Sequence, residues 1–151
     1  MDETDKKILS VLQERGKLSA QELAEAVGAS SPATCWRRLK SLEEAGYITG
    51  YRAILDRKKL GYNVCAFVHL SIERQYKNII AEIEAKILER PEVQECYATT
   101  GDSDFTLRVI AKDIQNYDDF MQKFLFELPG VSQIRSSIAL RELKQTTMLP
   151  L

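Results

Sequence analysis

The stretch SAQELAEAVGASSPATCWRRLKSLEEAGYI, residues 19–48, decides how this chain of 151 residues folds. Ser19 and Glu22 have the spacing of a capping box, in which each side chain accepts a hydrogen bond from a backbone N–H that the helix start leaves unpaired. Gly28 provides the permissive backbone that ends such a helix. Ser31 followed by a proline is typical of a second helix start, because proline at the first helical position loses no hydrogen bond. The stretch therefore predicts two short helices joined by a tight turn.

The second of these helices has two different stripes. Cys35, Leu39 and Leu42 recur at helical spacing and form an apolar stripe that must face a core. The neighbouring stripe is polar and basic, and arginine can pair with phosphate oxygens or bond to guanine edges. A solvated face is the ordinary interpretation of an isolated arginine pair, but the agreement of caps, turn, apolar register and charge favours a DNA-binding helix-turn-helix. The residues expected to contact DNA are Ser30, Ser31, Thr34, Trp36, Arg37, Arg38, Lys40 and Ser41.

Three segments of this half carry a family resemblance, namely residues 2–5 (DETD), 31–39 (SPATCWRRL) and 42–48 (LEEAGYI). They resemble the DNA-binding domain of the Lrp/AsnC (feast/famine) transcriptional regulators. The resemblance implies that the helix pair binds double-stranded DNA.

Charge is distributed unevenly along the chain. Lys and Arg outnumber Asp and Glu by 11 to 9 in residues 1–60 and by 7 to 3 in residues 28–60, whereas acidic residues outnumber basic ones by 13 to 10 in residues 61–151. A local basic excess is typical of a protein with a polyanionic partner. Because each copy supplies few cations, useful affinity at physiological salt requires several copies on one DNA.

Cysteine, histidine and hydropathy patterns indicate which classes of protein to set aside. Cys35, Cys65 and Cys96 are widely spaced and odd in number, which favours neither disulfides nor a zinc site. His69 is the sole histidine and has no histidine partner for a metal or for acid–base chemistry. We therefore expect no metal, no catalytic residue and no cofactor. A polar start and the lack of a long apolar run predict a cytoplasmic protein without a membrane segment.

The chain changes its pattern near residue 60. Before that point, Asp2 can cap a first helix with an apolar face, and residues 47–55 have strand character typical of a small wing, followed by a charged hinge. We place a winged helix-turn-helix domain in residues 1–60 and a second domain, with a C-terminal tail, in residues 61–151.

The second domain alternates strands and helices in the order βαββαβ. Val64, Ala66, Val68, Leu70 and Ile72 share one face of the first strand, and the last strand is expected from Val131 to Leu143. This order predicts a ferredoxin-like α+β domain with an antiparallel sheet and both helices on one face. The other face, which carries Phe67, would be bare in a monomer and predicts a symmetric homodimer.

This half also resembles the same family, through residues 131–137 (VSQIRSS) and 142–151 (ELKQTTMLPL). The resemblance implies dimers that assemble to an octamer and bind a free amino acid between dimers. The family's turn motif is Gly-Asp-x-Asp, usually with tyrosine third, and here it is Gly-Asp-Ser-Asp at residues 101–104. Composition alone predicts a plain hairpin turn there. With the resemblance, a small amino-acid effector such as leucine or methionine is expected to contact Thr99, Thr100, Gly101, Asp102, Ser103, Asp104 and Ser136.

Three functions remain to be compared. The leading one is a ligand-responsive transcriptional regulator, and the second is an architectural DNA-binding protein whose second domain only oligomerises. The third is an enzyme similar to the sirohaem decarboxylases, which would need histidines around a tetrapyrrole. One histidine and an arginine-bearing helix favour a regulator and argue against the enzyme.

Overall fold

The computed structural model describes the backbone of residues 1–151 and all side chains except those of residues 74, 76 and 77. The chain forms two compact units, one from Met1–Leu55 with Lys144–Leu151 and the other from Asp56–Leu143. The division thus lies before the expected boundary near residue 60, and the last eight residues group with the first unit instead of the second.

The hinge residues explain where the division falls. The Asp56 carboxylate accepts hydrogen bonds from the backbone N–H groups of Lys58 and Lys59, at 3.0 and 3.2 Å, and so closes a turn. The Arg57 guanidinium donates to the Tyr62 carbonyl and pairs with Glu142 at 2.6 Å. These bonds attach the charged segment to the second unit.

The first unit contains three helices, α1 (Glu3–Arg15), α2 (Ala20–Val27) and α3 (Pro32–Glu44). Their caps are those that the sequence predicts. Asp2 and Ser19 each form a capping box with the residue three positions on, and the Ser31 hydroxyl accepts from the Thr34 N–H at 3.3 Å. Gly28 ends α2 in the left-handed conformation, with φ of 76°. Local hydrogen bonding therefore sets the bounds of the helix pair.

The core of this unit lies where the three helices meet. Each helix contributes side chains that are almost entirely buried, and each such leucine or isoleucine contributes about 1.5–3 kcal/mol relative to exposure. The buried set is Ile8, Leu12, Leu23, Ala24, Cys35, Leu39 and Leu42. The predicted apolar stripe of α3 is confirmed, and its packing leaves the polar stripe outside.

The predicted strand at residues 47–55 is wrong, because this segment has irregular backbone. A strand needs a neighbour that accepts and donates its backbone hydrogen bonds. Here the segment is held by a side chain, since the Tyr51 hydroxyl donates to the Glu43 carboxylate of α3 at 2.9 Å. Strand-like composition alone does not make a wing strand.

The second unit has the predicted ferredoxin-like arrangement. Four strands form one antiparallel sheet in the order β2-β3-β1-β4. The elements are β1 (Val64–Ile72), a 3-10 turn (Arg74–Ile79), α4 (Ile80–Leu88), β2 (Val93–Ala98), β3 (Phe105–Ala111), α5 (Ile114–Phe120), a π-helical turn (Met121–Leu125) and β4 (Val131–Ile138). The last strand therefore ends five residues before the predicted Leu143.

The two faces of this sheet differ as predicted. Val64, Ala66, Val68 and Leu70 are buried with side chains of α4 and α5 in one core. Phe67 alternates with them and is 41% exposed. The alternation of a two-sided strand therefore leaves an aromatic residue on the open face.

Candidate functional site

Helix α3 presents an exposed polar surface opposite its buried stripe. Arg37 lies near the middle of this surface, with Thr34 and Ser41 beside it, and all three are exposed. Ser30, just before the helix, is exposed too. Hydroxyls at a helix start and an arginine one turn further along can contact phosphates and base edges together. This surface is the candidate DNA-binding face.

Arg38 has a different role from its neighbour. Its Nη1 donates to the Asp2 carboxylate at 2.7 Å and to the Asp5 carboxylate at 2.9 Å. Asp2 and Asp5 form the capping box of α1, so Arg38 joins α3 to the start of α1. These bonds raise the pKa of Arg38, and the Asp5 N–H, with help from Arg38, lowers the pKa of Asp2. We predicted that both arginines contact DNA; the Arg37 side chain is exposed, and that of Arg38 is 37% exposed while it binds the start of α1.

Lys40 is also paired within the unit. Its Nζ lies 2.7 Å from Glu43 Oε2 and 5.0 Å from the centroid of the Trp36 ring. The bonds from Lys40 and then Tyr51 lower the pKa of Glu43, while burial, followed by the bond to Glu43, raises the pKa of Tyr51 to about 12. Among the described side chains, Arg37 is therefore the cation of α3 that no carboxylate matches.

Trp36 borders a cleft beside this face. The cleft is open, has a volume of about 520 Å³ and is also lined by Lys17, Leu18, Ser19 and Ala20. Lys17 adds a positive charge at the start of α2. The sequence analysis named Trp36 but not Lys17, because the place of Lys17 beside α3 depends on how the helices pack.

The turn at residues 101–104 is fixed to the end of β1. Gly101 has φ of 106°, which a residue with a side chain rarely adopts. The Asp104 carboxylate accepts from the Ile72 N–H at 2.7 Å, and its own N–H donates to the Leu70 carbonyl at 2.8 Å. The Ser71 hydroxyl donates to the Asp102 carbonyl at 3.1 Å. The turn is therefore held by hydrogen bonds to the neighbouring strand.

The predicted effector residues at this turn are not equivalent. The Thr99 hydroxyl donates to the Ser103 carbonyl at 2.9 Å, and the Asp104 carboxylate is bound to Ile72, so both groups serve the loop itself. All four of Thr99, Thr100, Asp102 and Asp104 are exposed, but the Asp104 carboxylate is already bound to the Ile72 N–H. Asp102 thus presents the carboxylate that is best placed to meet an ammonium group from outside.

Ser136 does not lie with the turn. It is paired with Val68 in β1, two residues from Leu70 and four from Ile72, the two residues that bond Asp104, which is about 7–13 Å along a strand. Its hydroxyl is hydrogen-bonded to that of Tyr117 in α5. Ser132 is closer to the turn, because its hydroxyl donates to the Ser71 carbonyl at 3.1 Å. Sequence reasoning missed Ser71 and Ser132, although the strand order places the end of β1 between the starts of β3 and β4.

The described part of the chain lacks two further kinds of feature. It contains no group of three or more His, Cys, Asp or Glu residues that could hold a metal ion. None of its helices combines the length and the apolar character that crossing a membrane requires.

Comparison with known proteins agrees with both halves of the molecule. A winged helix-turn-helix DNA-binding family matches residues 1–49, and the Lrp/AsnC ligand binding domain matches residues 65–149. The whole chain is 40% identical to the Bkd operon transcriptional regulator of Pseudomonas aeruginosa, covering 98% of it, and 36% identical to the leucine-responsive regulatory protein of Haemophilus influenzae, covering 90% of it.

Solved structures extend this likeness to the fold. The complex of transcriptional regulator NMB0573 with L-Met from Neisseria meningitidis matches with a TM-score of 0.94 at 39% identity, covering 99% of this chain and 96% of that one. AsnC of E. coli matches with a TM-score of 0.89 at 27% identity, covering 99% of each chain. The resemblance seen in the sequence is thereby confirmed, and the chain belongs to the Lrp/AsnC family of DNA-binding transcriptional regulators.

Proposed function

We propose that this protein regulates transcription by binding DNA through the exposed face of α3 and that a small amino acid, bound to the second unit, changes its DNA binding. The observation that carries the proposal is Arg37, an exposed arginine in the middle of a helix whose other side is fixed in a core. An arginine so placed can reach phosphates or guanine edges while the scaffold stays rigid.

The amino acid that we propose is small and apolar, such as leucine or methionine. Support comes from relatives described as leucine-responsive and from the L-Met complex of the Neisseria regulator. The exposed Asp102 carboxylate can pair with an α-ammonium group, and backbone N–H groups of a tight turn can bind an α-carboxylate. Serine at position 103 leaves room for the side chain of the bound amino acid, which a tyrosine at this position would restrict.

The assembly that we propose is a symmetric homodimer that joins other dimers into an octamer. Phe67 and Tyr97 are exposed on the open face of the sheet, and Arg108 and Glu95 are paired there at 2.8 Å. Exposed aromatic residues with matched charges are suited to a two-fold interface. The turn at residues 101–104 would then lie at a contact between dimers, so that the amino-acid site is shared.

The test has two stages. A thermal-shift screen of the twenty amino acids identifies the effector, and fluorescence anisotropy with DNA selected from a random pool measures affinity with and without it. The coupling is expected to be ~1–3 kcal/mol, because an effector shifts DNA binding only by its difference in affinity for the two states. Stabilisation without any change in DNA affinity, or DNA binding without an amino-acid response, would instead indicate an architectural protein. A coloured protein with a bound tetrapyrrole would favour the enzyme.

A further inference from the structure

The last residues of the chain are attached to α1 by an unusual pair of hydrogen bonds. The Gln13 amide nitrogen donates to the Leu149 carbonyl at 3.1 Å, and the Gln13 amide oxygen accepts from the Leu149 N–H at 2.6 Å. Both polar ends of one side chain thus bind the backbone of a single residue, as a neighbouring strand would. Because the Leu149 side chain remains 69% exposed, the backbone and not the side chain is recognised.

A second contact lies on the adjoining surface of the unit. Leu151 lines a cleft of about 450 Å³ beside α1 and α2, together with Val11, Ala26 and Val27. Val11 and Val27 are partly buried side chains that pack against the core of the three helices. Half of the Leu151 surface is exposed. Four polar residues of α1, namely Glu3, Lys6, Lys7 and Ser10, also line this cleft, so the end of the segment lies over a mixed polar and apolar surface where α1 meets α2.

Helix α1 binds this segment near its own C-terminal end and binds α3 near its own N-terminal end. Gln13 lies in the last turn of α1, whereas Asp2 and Asp5 at its start bind Arg38 of α3. A displacement of α1 would therefore change the support of the helix that carries Arg37.

We propose that Lys144–Leu151 is a clasp for the DNA-binding unit, which fixes α1 and, through α1, the position of α3. The chain leaves this unit after Leu55 and returns to it at Lys144, so the clasp is an intramolecular ligand. A tethered segment has a high effective concentration. Two hydrogen bonds and a leucine with half of its surface buried are therefore enough to keep it bound. The effect on DNA rests on the proposed function, whereas the effect on α1 does not.

Hydrogen exchange of the 151-residue chain and its variants tests the clasp without DNA or amino acid. Gln13→Ala removes both hydrogen bonds, and a chain that stops after Thr147 removes the docking residues. Amides of α1 and α2 are expected to exchange roughly tenfold faster in the shortened chain, and by a smaller factor in Gln13→Ala. Gln21→Ala is the matched control, because the Gln21 amide donates within α2, to Glu25 at 3.1 Å, and this variant is expected to leave α1 unchanged.

DNA affinity completes the test. Both clasp variants are expected to bind DNA several-fold more weakly than Gln21→Ala at the same salt concentration. Unchanged exchange in α1 for Gln13→Ala and the shortened chain would overturn the clasp, and faster exchange with unchanged DNA affinity would overturn its action on α3. If the shortened chain does not fold, the comparison of Gln13→Ala with Gln21→Ala decides alone. A wild-type protein that binds no DNA would refute the proposed function instead, because the exchange result is independent of it.

Discussion

Replacing Arg37 and Arg38 separately by alanine distinguishes an arginine that contacts DNA from one that supports the fold. Arg37 is exposed and unpaired among the described side chains, so Arg37→Ala is expected to change the free energy of unfolding by less than about 0.5 kcal/mol. Loss of a guanine contact costs ~1–3 kcal/mol of binding free energy, and a symmetric dimer loses it twice, which gives ~2–6 kcal/mol in all.

Arg38→Ala is expected to act through stability. It leaves the Asp2 and Asp5 carboxylates without the guanidinium that lies 2.7 and 2.9 Å away, so the start of α1 is less well held and the melting temperature of the DNA-binding unit falls. A triple variant that also carries Asp2→Asn and Asp5→Asn removes the two unmatched charges. The DNA affinity of this variant separates the repulsion between these carboxylates and DNA phosphates from the loss of the bonds that join α1 to α3.

The assay is fluorescence anisotropy over a series of salt concentrations, combined with thermal melts of every variant. A phosphate contact lowers the slope of log affinity against log salt by about 0.9 per arginine, whereas a base contact leaves the slope nearly unchanged and relaxes sequence preference. Wild-type affinity for Arg37→Ala would refute the assigned face. A loss of affinity for Arg38→Ala with an unchanged melting temperature would show that Arg38 contacts DNA after all.

Three further predictions concern the interface, the turn and pH. Phe67→Asp is expected to break the two-fold interface and lower the mass in light scattering below that of the wild type, while Leu140→Asp, at a fully exposed position off the sheet, is not. Asp102→Asn is expected to abolish the thermal shift caused by the amino acid, whereas Asp104→Asn lowers the melting temperature even without it, because Asp104 holds the turn. The Ser19 hydroxyl, and to a lesser extent its N–H, lowers the pKa of Glu22. The resulting contribution to the free energy of unfolding is fully present above the unfolded pKa of 4.5 and is lost as the pH falls below that value. Unfolding followed by circular dichroism should show that Ser19→Ala loses less stability than the wild type over this pH range.

The parts of the fold that the sequence predicted are those set by nearby residues. The capping box of Ser19 and Glu22 spans three residues, and the alternation around Phe67 has a period of two. Such signals need no knowledge of the rest of the molecule. They were sufficient for the helix pair, the order of the strands and the open face of the sheet.

The parts that were missed depend on distant residues. Arg38 finds its carboxylates 33 and 36 positions earlier, and Gln13 binds a residue 136 positions later. Ser136 was grouped with the turn as a neighbouring strand end, but β4 pairs with β1 on the side opposite β3, so that β1 lies between Ser136 and the turn. The register of a sheet is fixed by packing of whole faces, which short motifs do not contain.

Residues that never touch DNA can therefore control how this protein binds it. The orientation of α3 is shared by all contacts that the helix makes, so a change in its support at Asp5 or Gln13 weakens every contact together. Such a change lowers affinity for all DNA sequences by a similar factor and leaves the order of preference intact. A change at Arg37 instead removes one contact and alters preference at one base pair. Comparing affinities across a set of DNA sites thus separates the residues that position α3 from those that contact bases, even where the loss at a single site is the same.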